Sequence, residues 1–183
     1  MQERTKKNYI MAHDPSMCGW GYSIIDEDGK VVKANCIKTA SEAKKRRIRK
    51  GDDTIRRINE INCQLLRLIR YYHIQYMIAE QPHGSQSATA AKAIGNVEAM
   101  LQTIADVLGM SLEWFSEGDS KFRLLHKRSA VKKETINAIT KLYEVPWTGI
   151  GYRDEAIADS MSIYHIARDT SPMIRGFLTK SII

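Results

Sequence analysis

Asp14, Glu80 and the pair Glu155 and Asp159 are the side chains whose type and placement could do chemistry in this sequence. Asp14 closes the apolar run Tyr9-Ile10-Met11-Ala12-His13 and is followed at once by Pro15 and Ser16. Glu80 closes Gln75-Tyr76-Met77-Ile78-Ala79 and is followed by Gln81 and Pro82. Glu155 and Asp159 stand four residues apart, so on a helix they share one face, where like charges repel. In an open α/β sheet, a side chain at the carboxyl end of a strand points into the crevice where ligands bind. An acid is costly to dehydrate there unless a cation compensates it. Carboxylates gathered in threes or fours suit Mg²⁺ or Mn²⁺, hard cations that take oxygen ligands and keep waters for a substrate to displace. Two such ions roughly 3.5–4 Å apart can activate a water and stabilise the leaving oxygen of a phosphodiester. Each acid alone has a simpler reading. Asp14 could open the Pro-Ser turn, Glu80 cap a strand end, Asp154 cap a helix, and Asp159 sit on a solvated face. The joint pattern is what points to metal.

The surrounding pattern predicts the elements that must carry these acids. Residues 8–14 and 18–26 read as strands, and Asp26-Glu27-Asp28-Gly29-Lys30 is a hairpin turn leading to a third strand over Val31 to Ile37. Ile55, Ile58, Ile61, Leu65, Leu68, Ile69 and Tyr72 fall three and four apart, which predicts an amphipathic helix from Asp53 to Tyr72. Gln75 to Glu80 reads as a buried strand that Pro82 stops. Residues 87–108 form an alanine-rich helix ended by Gly109, and Ser111 to Ser116 is a further strand. Residues 131–143 and about Asp154 to Arg168 are helical, and the tail from Thr170 carries no signal. Three antiparallel strands feeding a parallel extension make an α/β fold, a mixed sheet with helices on its faces. With no internal repeat and no linker, residues 1–183 are expected to form one domain.

The formal net charge of +7 and the pI of about 9.3 point to a polyanionic partner, nucleic acid first and an anionic membrane surface second. The excess is concentrated. Lys44-Lys45-Arg46-Arg47-Ile48-Arg49-Lys50 is one basic block, and Lys121 to Lys133 is a second basic segment. Cys18, Cys36 and Cys63 are widely spaced and form neither a disulfide framework nor a zinc motif, which suits a reducing compartment. The polar Met1 to Asn8 stretch has no signal-peptide pattern, and no apolar run reaches the length of a membrane span. A soluble, intracellular protein without a membrane partner is expected.

Asp14-Pro15-Ser16 with Gly19-Trp20-Gly21, Ala79-Glu80-Gln81 and Ala158-Asp159-Ser160, in this order, together resemble the RuvC family of Holliday-junction resolvases. The similarity runs from residue 8 to about 168 and suggests a phage-type or otherwise distant member, in the cytoplasm of a bacterium or a phage-infected host cell. The resemblance implies an RNase H-like fold with a mixed five-stranded sheet flanked by helices. It also implies a homodimer that nicks a four-way DNA junction with two Mg²⁺ or Mn²⁺ ions per active site. Asp14, Glu80 and Asp159 match the family's acids. Its fourth acid or histidine, three residues before the last Asp, falls on Ala156; Glu155 is the substitute and Asp154 the fallback. Basic residues near the scissile phosphate are matched best by Lys133, with Lys121, Lys127, Arg128 and Lys132 nearby. Together with Lys44, Lys45, Arg46 and Arg47 these four are the expected DNA-backbone contacts, since cations supply most DNA affinity. Phe122 is a candidate for stacking on an opened base, whereas Tyr71 and Tyr72 read as core. His13 and His83, beside the strand-end acids, read as bystanders. An actin-like or sugar-kinase-type ATPase also opens with a strand-end Asp, but needs a second glycine-rich phosphate loop and a longer chain. A non-catalytic module that binds structured nucleic acid, or a nuclease of this fold acting on RNA–DNA hybrids or flaps, are the other readings.

Overall fold

A computed structural model describes residues 7–85 and 87–179; Met1 to Lys6 and the side chains of Lys44, Arg46 and Thr179 lie outside the described residues. The strands are β1 (Tyr9–Asp14), β2 (Gly19–Asp26), β3 (Val31–Lys38), β4 (Ile74–Gln81) and β5 (Ser111–Ser116). They form one five-stranded sheet in the order β3-β2-β1-β4-β5. β1, β2 and β3 are antiparallel neighbours, while β4 runs parallel to β1 and β5 parallel to β4. The hairpin between β2 and β3 is tied by Asp26, whose carboxylate accepts from the backbone N–H of Asp28 and Lys30 at 3.1 and 2.9 Å. Gly29 supplies the left-handed residue that this turn requires, at φ 78°.

The helices are α1 (Ala43–Arg46), α2 (Lys50–Tyr72), α3 (Ala88–Leu108), α4 (Glu117–Leu125), α5 (Lys132–Leu142), α6 (Gly151–Thr170) and α7 (Pro172–Thr179). Strand alternation sends side chains into two cores. Met11, Trp20, Ile24, Met77 and Ala79 pack with Ile61, Leu65, Val97 and Leu101 of α2 and α3. Ile10, Ala12, Ile25 and Ile78 pack on the opposite face with Ile139, Ile157, Met161 and Ile174 of α5, α6 and α7. α6 crosses this second face, and every residue from Ala156 to Ala167 except Asp159 is buried. An apolar face this wide marks a helix walled in on several sides.

α6 lies close to the sheet because β2 carries Gly21 there. A Cβ built on Gly21 would stand 2.1 Å from the carbonyl oxygen of Ala156, so only glycine admits this approach. Next to it, the hydroxyls of Ser23 and Ser160 share a buried 2.8 Å hydrogen bond.

The structure adds to or departs from the sequence reading in four places. The basic block from Lys44 to Lys50 spans α1, a left-handed turn at Arg47 (φ 51°) and the first residue of α2. The second basic segment begins inside α4, whose Ser116 cap accepts from the backbone N–H of Asp119 at 3.1 Å. The tail forms α7, with Ile174 and Phe177 buried in the second core. Tyr71 is 77% exposed, whereas Tyr72 packs edge-on against Tyr9, since adjacent residues on a helix face different directions. Among the described residues no helix is long and apolar enough to cross a membrane.

Candidate active site

β1 and β4 are neighbours in parallel register, His13 opposite Ala79, so Asp14 and Glu80 occupy the next rung at the carboxyl ends of both strands. Alternation fixes their side: Ile10, Ala12 and Asp14, like Ile78 and Glu80, belong to the face on which α6 lies. Asp159 comes from α6, beside the Ser160 that anchors this helix to β2. On the other flank Glu80 pairs with Phe115 of β5, and Glu117 follows two residues later, in the same alternation, as the first residue of α4. Acids from the ends of two parallel strands, from the start of α4 and from α6 therefore share a single end of the sheet.

Their electrostatics report the same convergence. Burial pushes the Asp14 carboxyl up to about 8; the charge of Asp159 adds to this, Lys132 and Lys121 oppose it, and Glu117 adds again. Glu80 is pushed up to about 9, by burial first and then by the charges of Asp14, Asp159 and Glu117. Asp159 rises to about 6, mainly through burial, with Lys121 and Lys132 opposing and Glu117 and Glu155 adding. Carboxylates held at these values are short of positive charge. The donor set is chemically apt for a hard divalent cation, because each of these donors is a carboxylate oxygen. Among the described residues, however, no group of three or more His, Cys, Asp and Glu side chains is gathered so that it could hold a metal ion as it lies.

The fourth acid is differently placed from the others. Glu155 binds Lys132 at 2.7 Å, and Glu155 and Lys132 both act on Asp159. Asp154 is engaged elsewhere: its carboxylate accepts from the backbone N–H and hydroxyl of Thr148 at 2.8 and 2.7 Å, tying the preceding loop to the first turn of α6. Glu117 is the acid that sequence reasoning missed. It bonds Lys121 one turn along α4, and its carboxylate lies 3.2 Å from Nε2 of His83. Its signal was present in Ser116-Glu117-Gly118-Asp119, a helix-start pattern directly after a strand end.

Of the expected cations, Lys121 and Lys132 are the two that act on the carboxylates, and the Lys121 side chain is only 15% exposed. Lys133 is exposed on α5, one residue and about 100° of helix rotation from Lys132. Lys127 pairs with Glu134 at 2.5 Å and Arg128 with Asp119 at 3.1 Å. Lys45 and Arg47 are exposed; Lys44 and Arg46 fall outside the described side chains. Phe122 is half exposed on α4, edge-on to His126. His13 is a core residue on the α2 side. Its Nδ1 accepts from the Trp20 indole at 3.1 Å, its Nε2 has no partner among the described residues, and burial lowers it to about 3.

No family model matches the sequence, and no curated protein matches it. Solved structures do resemble the fold. Thermus thermophilus RuvC in complex with a Holliday junction substrate matches with a TM-score of 0.67 and 14% identity, over 88% of this chain and 95% of that one. Another Thermus thermophilus RuvC structure matches with a TM-score of 0.65 and 16% identity, over 88% and 96%. The yeast mitochondrial Holliday junction resolvase Ydc2 matches with a TM-score of 0.62 and 11% identity, over 95% of this chain and 84% of that one. The chain has the RuvC-type, RNase H-like fold expected from its sequence, a mixed sheet of three antiparallel and then parallel strands flanked by helices.

Proposed function

We propose that this protein is a structure-selective endodeoxyribonuclease that resolves four-way, Holliday-type or other branched DNA, with Mg²⁺ or Mn²⁺ as cofactor, two ions per active site. The observation that carries this reading is the convergence of Asp14, Glu80 and Asp159, from β1, β4 and α6, on one half-buried end of the sheet where their charges act on one another. The full-length likeness to a RuvC solved with a junction substrate supports it. Asp14, Glu80 and Asp159 would hold the ions, with Glu155 or Glu117 completing the set. Ions held there would supply the activated water and the stabilisation of the leaving oxygen.

The chain's own residues do the rest. Lys121 and Lys132, already among the carboxylates, meet the charge of the scissile phosphate, and the exposed Lys133 takes backbone beyond it. Lys45, Arg47, Lys127 and Arg128 add sequence-independent grip on neighbouring phosphates, joined by Lys44 and Arg46 of the same block. The half-buried acids are partly desolvated, so each charge in the site acts more strongly than it would at the surface. A second copy of the chain supplies the second nick that a symmetric junction needs. The apolar trough between α2 and α3, about 450 Å³ and lined by Ile58, Leu66, Met100 and Val107, is the face through which it would pair.

The test is cleavage of a labelled four-way junction beside a linear duplex of the same sequence, with Mg²⁺, with Mn²⁺ and with chelator. Junction cutting that needs the ion and disappears in Asp14→Asn supports the reading. Equal cutting of the linear duplex sinks junction selectivity, and junction binding without cutting makes the protein a binding module.

A further inference from the structure

Four cations stand at the carboxylate end of the sheet, and they are not balanced alike. On the α4 and α5 side, Lys121 is bonded to Glu117 and Lys132 to Glu155. On the β3 side stand Lys38, the last residue of β3, and Arg153, in the first turn of α6. Among the described residues neither has a carboxylate partner. Both address Tyr152 instead. The Lys38 ammonium lies over its ring, 4.3 Å from the centroid. Arg153 donates from Nε to the Tyr152 hydroxyl at 3.1 Å, with its guanidinium carbon 5.8 Å from the centroid. The residue nonetheless stays 40% exposed.

Register puts this group at the same end of the sheet as the acids. Lys38 pairs with Gly19 and Cys36 with Gly21, while Gly21 pairs with Asp14, so Lys38 stands at the Asp14 end of the sheet, two strands away. An aromatic ring held by two cations that lack counter-charges, next to carboxylates meant for phosphodiester chemistry, is a combination that suits a nucleotide. The ring offers a stacking face, and the cations offer charge to phosphates. A base at a branch point is the cheapest to present this way, because it is already unstacked or unpaired.

We propose that Lys38, Tyr152 and Arg153 form a nucleotide clasp on the β3 side of the active site, in which Tyr152 stacks on an unpaired base at the branch and the two cations hold the flanking phosphates. The clasp rests on the branched-DNA reading above and gives it a source of structure selectivity. It predicts a division of labour, with Tyr152 sensing the branch and Lys38 and Arg153 gripping any backbone.

The experiment measures binding without cutting, in an Asp14→Asn background with chelator, to a four-way junction and to linear duplex over a series of salt concentrations. Tyr152→Ala should weaken junction binding about ten-fold, the scale of one lost stack, and leave duplex binding within about two-fold. Tyr152→Phe, which keeps the ring, should retain junction binding. Lys38→Ala and Arg153→Ala should weaken both substrates alike and each reduce the salt slope by about one. A junction labelled with 2-aminopurine at the branch should change its fluorescence on binding the parent and not Tyr152→Ala. Unchanged junction affinity in Tyr152→Ala, with the parent binding junction normally, overturns the clasp alone. A parent that binds no branched DNA overturns the clasp together with the functional reading.

Discussion

Asp14 is the side chain on which the chemistry and the stability of this protein meet. In the absence of metal its carboxyl sits near 8 and that of Glu80 near 9, because burial and neighbouring acids disfavour their charged forms. The folded state therefore keeps protons that the unfolded chain releases above its ordinary carboxylate range. More protons bound in the native state means that unfolding free energy falls as pH rises, up to the folded values. Above pH 7 His13, lowered to about 3, is neutral in both states and adds nothing. Metal-free protein should thus lose thermal stability between pH 7 and 9, and Mg²⁺ should flatten that slope; a melting series with and without ion reads it directly. Asp14→Asn should abolish junction cutting yet raise the metal-free melting temperature at pH 8, by ~2–4 °C for each kcal/mol of relieved burial. A variant that melts lower at pH 8 would show that the carboxylate is not under this strain.

β2 and α6 set the depth of the site between them. Gly21 lies opposite Asp14 in the β1–β2 ladder and directly against the backbone of Ala156, three residues before Asp159. Ala156 stands where the resemblance expects an acid or histidine, and its backbone is spent on this packing. Gly21→Ala drives a methyl group into a carbonyl that cannot swing aside as a flexible side chain would. It should destabilise the fold by about 1–3 kcal/mol, as overpacking does, and lift Asp159 away from Asp14. Chemical denaturation measures the first effect, and cleavage of the four-way junction measures the second. Wild-type stability and wild-type cutting in Gly21→Ala would mean that α6 can slide without consequence for the acids.

If the substrate is a symmetric junction, the outer surface of the protein bears on how many copies act. Val107 is 77% and Leu108 38% exposed at the end of α3, beside the α2–α3 trough. If two chains of 20.9 kDa pair through that face, sedimentation of the wild type should report twice this mass. Val107→Asp should report the single-chain mass, because a carboxylate buried at such a contact has no partner. The same variant should convert paired, symmetric nicks in a junction into unpaired ones. A wild type that sediments as a monomer and still makes paired nicks would remove the need for the trough.

Much of this arrangement was legible from local pattern. Apolar runs cut short by Pro15 and Pro82 marked the strand ends at Asp14 and Glu80, and the period of α2 and the Glu155–Asp159 spacing marked helix faces. Which strands are neighbours was not legible from local pattern, since pairing between residues some 65 positions apart depends on which apolar faces bury one another. Glu117 was overlooked because an acid after a short strand looks the same whether it caps a helix in solvent or faces three other carboxylates. Lys132 and Lys133 are equivalent in a basic segment, and only the docking of α5 against α6 turns Lys132 to Glu155 and the acids. Short-range periodicity dictates which residues end or line an element, whereas charges from different elements meet only once burial has packed those elements together.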